Sequence, residues 1–303
     1  MASVIAGFSQ ELAQATENVG PSVVTVHARH RVPSSGIYWR PGIVVTANHS
    51  VRSIDDIAIL IHGGKRLPAK LTGRDSATDL ALLKFDQAAD LPVPRFADAA
   101  SLKLANFVLA LGRTRSGSLV ASAGIVGGLG GEWRTWRGGR IDQSIRLDLA
   151  LYPGFSGGPL LNVDGKVLGL NTNGFGRGRA VTIPVSTVNR VVDELLDKGY
   201  IARPYLGIAM QPVAVPEALR GKLKSSAAGG LMVLHVEPGG PADKAGIVMG
   251  DVIVELQGRP ALDIEHIQDL LGSAKVNDKV GATLIRGGVP VELTINLGER
   301  PEK

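Results

Sequence analysis

Between residues 21 and 183 the chain runs as one short apolar segment after another. "SVVTVHA", "GIVVTA", "DIAILIH", "RLPAKLTGR", "DLALLKF", "FVLALG", "KVLGLNT" and "AVTIP" are rich in Val, Ile and Leu and are punctuated by Gly, Pro, Asp or Asn. That pattern reads as successive strands. Gly63-Gly64 and Asp164-Gly165 are hairpin-turn candidates. The 39 glycines of the 303-residue chain suit many tight turns. Many short strands with little helix imply a mainly β fold, a barrel or a sandwich.

Helical periodicity frames this region. Val4, Phe8, Leu12, Ala15 and Val19 recur at steps of three and four, predicting a helix over 3–19 with Ser3 as a candidate cap and Gly20-Pro21 as its stop. Such a stripe must pack on its own domain or on a neighbouring subunit. In "STVNRVVDELLDKG", Val188, Val191, Val192, Leu195 and Leu196 share one face, with Ser186 as candidate N-cap and Gly199 as stop. The expected division is an N-terminal helix over 1–20, a β domain over 21–198, a linker over 199–204 and a small second domain over 205–300. The second domain mixes short strands with two helical pieces, "PADKAGI" and "DIEHIQDLLGSA", and ends in a hairpin around Gly287-Gly288.

Composition narrows the chemistry. Apolar residues at 44% and charged residues at 20% fit a globular chain with real cores. The absence of cysteine excludes disulfides and thiol chemistry without deciding the compartment. No apolar run approaches the roughly 18 residues of a membrane helix. The N-terminus lacks a basic segment, and Ser9, Gln10 and Glu11 interrupt its apolar part, so it does not read as a secretory signal. Either the protein stays in the cytoplasm or a signal was removed. The net charge of +5 favours acidic partners mildly. The basic loop "RTWRGGR", with Trp133 and Trp136, reads as a solvated hairpin rather than a nucleic-acid surface.

One serine, Ser156, lies among glycines in "GFSGGPLL". A serine hydroxyl attacks only with a base, a group that orients the base, and donors for the oxyanion. The glycines let backbone amides converge near the hydroxyl, those of Gly154 and Ser156 being the candidate donors. Alone, this segment reads more readily as an ordinary turn. His49 at the end of the strand "GIVVTA", and Asp79 one residue before "LALLKF", add a base and its orienting carboxylate. A nucleophile elbow would need a helix after the serine and a later histidine from the same domain. Here a hairpin follows, and only His235 and His266 come later, both in the second domain. The order His49, Asp79, Ser156 fits the other Gly-x-Ser-x-Gly mechanism, that of a double β-barrel.

"TANHSV", "DSATDLALLK" and "GFSGGPLLNVDGKVLGLNT" resemble, in order, the three catalytic blocks of the HtrA/DegP family of chymotrypsin-fold serine proteases. "YLGI" and "VEPGGPADKAGIVMGDVIVELQGRPALDIEHIQDLL" resemble that family's PDZ domain. The resemblance implies two six-stranded β-barrels followed by one PDZ domain. It implies Ser156 as nucleophile, His49 as general base and then acid, Asp79 as its orienting group, and the amides of Gly154 and Ser156 as the oxyanion hole. Ala150 would form the base of the specificity pocket, favouring an aliphatic residue at the cleavage site. Asn171, Thr172 and Asn173, in a segment running on to Phe175, would line its wall. A peptide C-terminus would add as a strand beside Tyr205, Leu206, Gly207 and Ile208, with Ile208, Ile267 and Leu271 as candidates for its apolar pocket or merely core.

Further implications are unfolded-protein substrates, a homotrimer, no metal or cofactor, and a periplasmic or envelope location if a signal was removed. Three positions depart from the family pattern: Phe155 replaces the usual Asn, Gly112-Arg113-Thr114 replaces "GNP", and the segment from His27 to Gly36 is short. A PDZ scaffold or chaperone with a silent protease domain, and an α/β-hydrolase esterase, are the rival readings.

Overall fold

The computed structural model describes residues 2–28, 33–85, 91–175, 180–221 and 228–299. It divides into two compact units, Met1–Ile201 and Ala202–Lys303.

The first unit opens with helix α1 (Ala2–Val19) and one 3₁₀ turn, then enters a closed six-stranded barrel. Its strands are β1 (Val23–His27), β2 (Ser34–Arg40), β3 (Ile43–Ala47), β4 (Ala58–Leu60), β5 (Arg66–Asp75) and β6 (Leu80–Phe85), joined in the order β1-β2-β3-β6-β5-β4. After β7 (Phe107–Arg113) and β8 (Leu119–Gly130), a small hairpin, β9 (Trp133–Arg134) and β10 (Arg140–Ile141), stands outside the second barrel. That barrel continues with β11 (Ser144–Asp148), β12 (Pro159–Leu161), β13 (Val167–Thr172) and β14 (Val181–Pro184), and closes as β11-β14-β13-β12-β7-β8. The expected double six-stranded β-barrel is the architecture observed.

The apolar runs have a simple cause. In β3, Val44 faces a cluster with Val24, Val26, Ile59, Ala81 and Leu83. Its neighbour Val45 faces a second cluster with Trp39, Leu82, Leu111 and Leu170. Alternate side chains leave a strand on opposite faces, so a strand buried on both reads as continuous Val and Ile. Helix α2 (Val185–Lys198) closes the second cluster with Val188, Val191, Val192 and Leu195, and Gly199 ends it in the left-handed region at φ 82°. Leu196, expected on that buried face, is 41% exposed.

The stripe of α1 packs on its own domain from Phe8 onward. The Phe8 ring meets Phe107 edge-on with centroids 5.0 Å apart, and Ala15 and Val19 are buried. Val4 and Ile5, a turn earlier, are exposed. The chain after the helix is strapped by Arg113. Its guanidinium donates to the carbonyls of Gly20, Val23 and Gly117, and its burial holds the side chain below the ordinary arginine pKa.

The second unit comprises β15 (Pro204–Tyr205), β16 (Ile208–Ala214), α3 (Glu217–Arg220), β17 (Gly229–Val236), α4 (Pro241–Lys244), β18 (Val252–Leu256), β19 (Arg259–Pro260), α5 (Ile264–Ser273), β20 (Lys279–Arg286), β21 (Val289–Asn296) and β22 (Gly298–Glu299). Its main sheet runs β16-β17-β18-β20-β21, and α5 is capped by Asp263, whose carboxylate accepts from the His266 amide. Leu231, Val233, Ile253, Ile267, Leu284 and Ile295 form its core.

Arg113→Met keeps the buried stem and removes its donors, leaving carbonyls of Gly20, Val23 and Gly117 without that partner. The expected loss is about 2–4 kcal/mol of unfolding free energy by urea denaturation.

Candidate active site

Strand register brings the first two residues together. Ala47, the last residue of β3, pairs with Leu80, the first of β6. The chain leaving β3 therefore faces the chain entering β6, and the Asn48 amide extends the ladder to the Asp79 carbonyl at 2.9 Å. His49 sits on a single 3₁₀ turn, Asn48–Ser50. Its ring Nδ1 lies 2.7 Å from Asp79 Oδ2, and its amide donates to Asp79 Oδ1 at 2.8 Å.

Asp79 adopts φ 58°, a left-handed conformation unusual for a residue with a side chain. The turn before it is built to hold that conformation. Asp75 accepts from the Ala77 amide at 3.0 Å and from the Thr78 hydroxyl at 2.7 Å, and the Thr135 hydroxyl of the outer hairpin donates to the Ala77 carbonyl at 2.7 Å.

The serine loop is placed by the second barrel. Pro159 of β12 pairs with Leu170 of β13, and the ladder continues through Asn171 N–H to Gly158 O and Gly157 N–H to Asn171 O, both at 2.8 Å. Gly154 and Gly157 have φ of 102° and 89°, and a Cβ on Gly157 would collide with the Ser35 carbonyl. Only glycine meets both demands at position 157.

Ser35, on β2, fixes the loop from the other barrel. Its amide donates to Ser156 O at 3.0 Å, and its hydroxyl donates to Gly154 O at 2.6 Å while accepting from the Arg113 amide at 2.8 Å. Among the described residues the Gly154 and Ser156 amides donate to no protein acceptor. Phe155 is buried beside Val108, Leu160 and Leu168, where the missing Cβ of Gly112 leaves room for its ring.

Three consecutive residues leaving β13 touch the three candidate side chains. The Thr172 hydroxyl donates to Asp79 Oδ2 at 2.5 Å. Asn173 Oδ1 accepts the Ser156 hydroxyl at 3.0 Å. Gly174 passes so close that a Cβ would collide with Asp79 Oδ2 and stand 2.7 Å from His49 Nδ1. Among the described hydrogen bonds none joins Ser156 to His49.

The pocket residues expected from the sequence separate into two groups. Ala150 and Asn173 line one open cleft of about 750 Å³, together with Leu149, Leu151, Arg146 and Asp148. Asn171 and Thr172 do not line it. Both are fully buried, Asn171 bonding Pro159 O and the Thr182 hydroxyl, Thr172 bonding Asp79. Their side chains face the interior, because inward-facing polar groups in a barrel must find internal partners. Phe175 packs edge-on against Trp133 at 5.5 Å. Ser35 and Gly174 were missed from sequence, since nothing in a single serine or glycine marks a contact across more than a hundred residues of chain.

In the second unit, Gly207 has φ 75°, and the amides of Leu206 and Gly207 donate to no protein acceptor among the described residues. Leu206 and Ile267 are core residues, whereas Ile208 and Leu271 are partly exposed against that core. Tyr205 packs its ring on Gly207, 3.5 Å from the position a Cβ would take there. Among the described residues no helix is long and apolar enough to cross a membrane.

Residues 34–170 match the family described as a trypsin-like peptidase domain, and residues 204–297 match the PDZ domain family. A relative from Rhizobium meliloti (strain 1021), named a probable periplasmic serine endoprotease DegP-like, is 33% identical over 279 residues, which is 90% of this chain and 54% of the relative. A serine protease Do-like HtrA from Lactobacillus helveticus is 35% identical over 271 residues, covering 84% of this chain and 65% of its own. The chain thus spans between half and two thirds of these relatives' lengths. The crystal structure of the serine endoprotease from Yersinia pestis superposes with a TM-score of 0.73 at 27% identity, covering 95% of this chain and 98% of that one. The HtrA-type protease AlgW, solved with a tripeptide, gives a TM-score of 0.70 at 27% identity over 96% and 98% of the two chains. With a trypsin-like peptidase domain on two closed six-stranded barrels and a PDZ domain after it, the chain belongs to the HtrA/DegP family of serine proteases.

Proposed function

We propose that this chain is a serine endopeptidase cutting unfolded proteins through Ser156, His49 and Asp79. The observation that carries the reading is the His49 Nδ1–Asp79 Oδ2 contact of 2.7 Å, with the backbone of Gly174 laid against that pair and the neighbouring Asn173 on Ser156. Asp79 accepts the Nδ1 proton, so the free lone pair of the imidazole is on Nε2, the atom that takes a proton from serine. Ser156 Oγ then attacks the scissile carbonyl, and its proton passes to Nε2. The oxyanion forms opposite the Gly154 and Ser156 amides, which among the described residues donate to no protein acceptor. His49 returns the proton to the leaving amine, and water releases the acyl group by the same steps. Ala150 in the cleft carries no charge, which favours an aliphatic side chain at the cleavage site.

The second unit, in this reading, takes a peptide C-terminus as a strand beside β16, its carboxylate on the amides around Gly207. The reaction class fits the relatives' names as serine endoproteases, and unfolded proteins as substrates are what the family resemblance implies. An envelope location belongs to the same proposal, by likeness to a relative named periplasmic, and the homotrimer is carried by the family resemblance alone.

Ser156→Ala is expected to lower casein degradation by at least about 10⁴-fold, with a fluorophosphonate label found on Ser156 of the wild type and absent from the variant. Casein cleaved equally by both proteins sinks the assignment. Gly174→Ala drives a methyl into the His49–Asp79 pair, and kcat/KM on a peptide substrate should fall about 100-fold. In the second unit, a peptide with a free C-terminus should bind at least about tenfold more tightly than its C-terminal amide by fluorescence anisotropy. Equal affinities would place recognition elsewhere.

A further inference from the structure

The Ser156 hydroxyl has a single proton, and two acceptors compete for it. One is His49 Nε2, left as a lone pair because Nδ1 is engaged by Asp79 at 2.7 Å. The other is Asn173 Oδ1, 3.0 Å away, and in this structure the proton is on the Asn173 bond. Among the described hydrogen bonds none joins Ser156 to His49. A hydroxyl committed to Asn173 cannot give its proton to the imidazole, and an undeprotonated serine is a poor nucleophile.

The position of Asn173 sharpens the conflict. It lines the cleft with Ala150, next to the nucleophile, and its side chain is exposed whereas Ser156 is 7% exposed. Its neighbours are committed elsewhere, Thr172 to Asp79 and Gly174 to close packing on His49 and Asp79. The backbone of this segment is therefore held, and the Asn173 carboxamide is the part free to turn away. A carbonyl carbon attacked by Ser156 Oγ has to approach the same hydroxyl that Asn173 now occupies.

We propose that Asn173 is a latch on the nucleophile: it holds the Ser156 hydroxyl in the substrate-free protein, and an incoming chain in the cleft must displace its carboxamide before Ser156 can turn to His49. The proposal rests on the reading of Ser156 as the nucleophile. The latch lowers the fraction of competent enzyme without altering the bonds that break, so it raises the apparent KM by the reciprocal of that fraction. A neutral hydrogen bond of ordinary strength corresponds to a factor of about five.

The test is the second-order rate of fluorophosphonate labelling of the full chain, with kcat and KM on a chromogenic peptide measured alongside. Asn173→Ala removes the acceptor and should label about fivefold faster, with the gain in peptide turnover falling on KM. Asn173→Asp keeps the shape and offers a charged acceptor, which holds a proton donor more strongly, and should label more slowly than wild type. Asn173→Ala labelling at or below the wild-type rate overturns the latch, as does Asn173→Asp labelling faster than wild type. In both cases the serine-protease reading stands. If neither the wild type nor Asn173→Ala labels while both give a folded thermal transition, the nucleophile assignment itself falls, and the latch with it.

Discussion

The Asp79 carboxylate is the fixed point of the site. It is nearly buried, and a buried charge is tolerated only when its oxygens are satisfied. Oδ1 takes the His49 amide, and Oδ2 takes both the His49 ring and the Thr172 hydroxyl. Hydrogen bonds to an ionised group are each worth about 1.5–3 kcal/mol, enough together to hold the aspartate in a left-handed backbone well that costs about 1–3 kcal/mol. The strain is thus the consequence of aiming one carboxylate at three donors, two from the turn that follows β3 and one from the end of β13 in the other barrel. Everything the imidazole can do follows from it, because the tautomer and plane of the ring are set by that contact.

A second constraint is the end of β13. A strand presents successive side chains to opposite faces, but the chain leaving it here serves three partners in three steps. Thr172 still points inward to Asp79, Asn173 turns out to Ser156, and Gly174 contributes only its lack of a side chain. The serine loop is pinned to this segment by Gly157 and Asn171, and to the other barrel by Ser35. Ser156 is consequently well placed by its backbone, while its hydroxyl is directed by the side chain of Asn173.

Much of this was legible in the chain. The strand pattern of 21–183, the turn at Asp164-Gly165 and the existence of a helix ending at Gly199 follow from local physics, since period and turn residues act over a few residues. Ser186, by contrast, lies inside that helix and not at its cap, which is Pro184. The trio His49, Asp79 and Ser156 could be named because each sits at the edge of a recognisable strand or glycine turn. The inward turn of the Asn171 and Thr172 side chains was hidden for the opposite reason. From sequence they are polar residues beside a candidate pocket, and only the closure of the barrel reveals that their side chains point inward to Pro159, Thr182 and Asp79. Ser35 was invisible because its role is a contact 119 residues away in sequence, with the carbonyl of Gly154. Ile267 was left between groove and core, and its burial beside Leu231 and Ile253 puts it in the core.

The departures from the family pattern form one connected unit. Phe155 cannot offer the side-chain amide that an asparagine would, and its ring goes instead into the second barrel against Val108 and Leu160. An anchor by burial holds the middle of the loop but leaves the peptide planes on either side to be oriented by other groups. Ser35 does this for Gly154, and it is in turn bonded by the amide of Arg113, the residue that stands within the altered "GNP" segment. The Arg113 side chain runs on to the carbonyls of Gly20 and Val23, at the end of the N-terminal helix. The serine loop is thus coupled to the packing of α1 on the second barrel through a short chain of hydrogen bonds. A loop held by an apolar anchor and a borrowed hydroxyl is rigid only while that chain is intact.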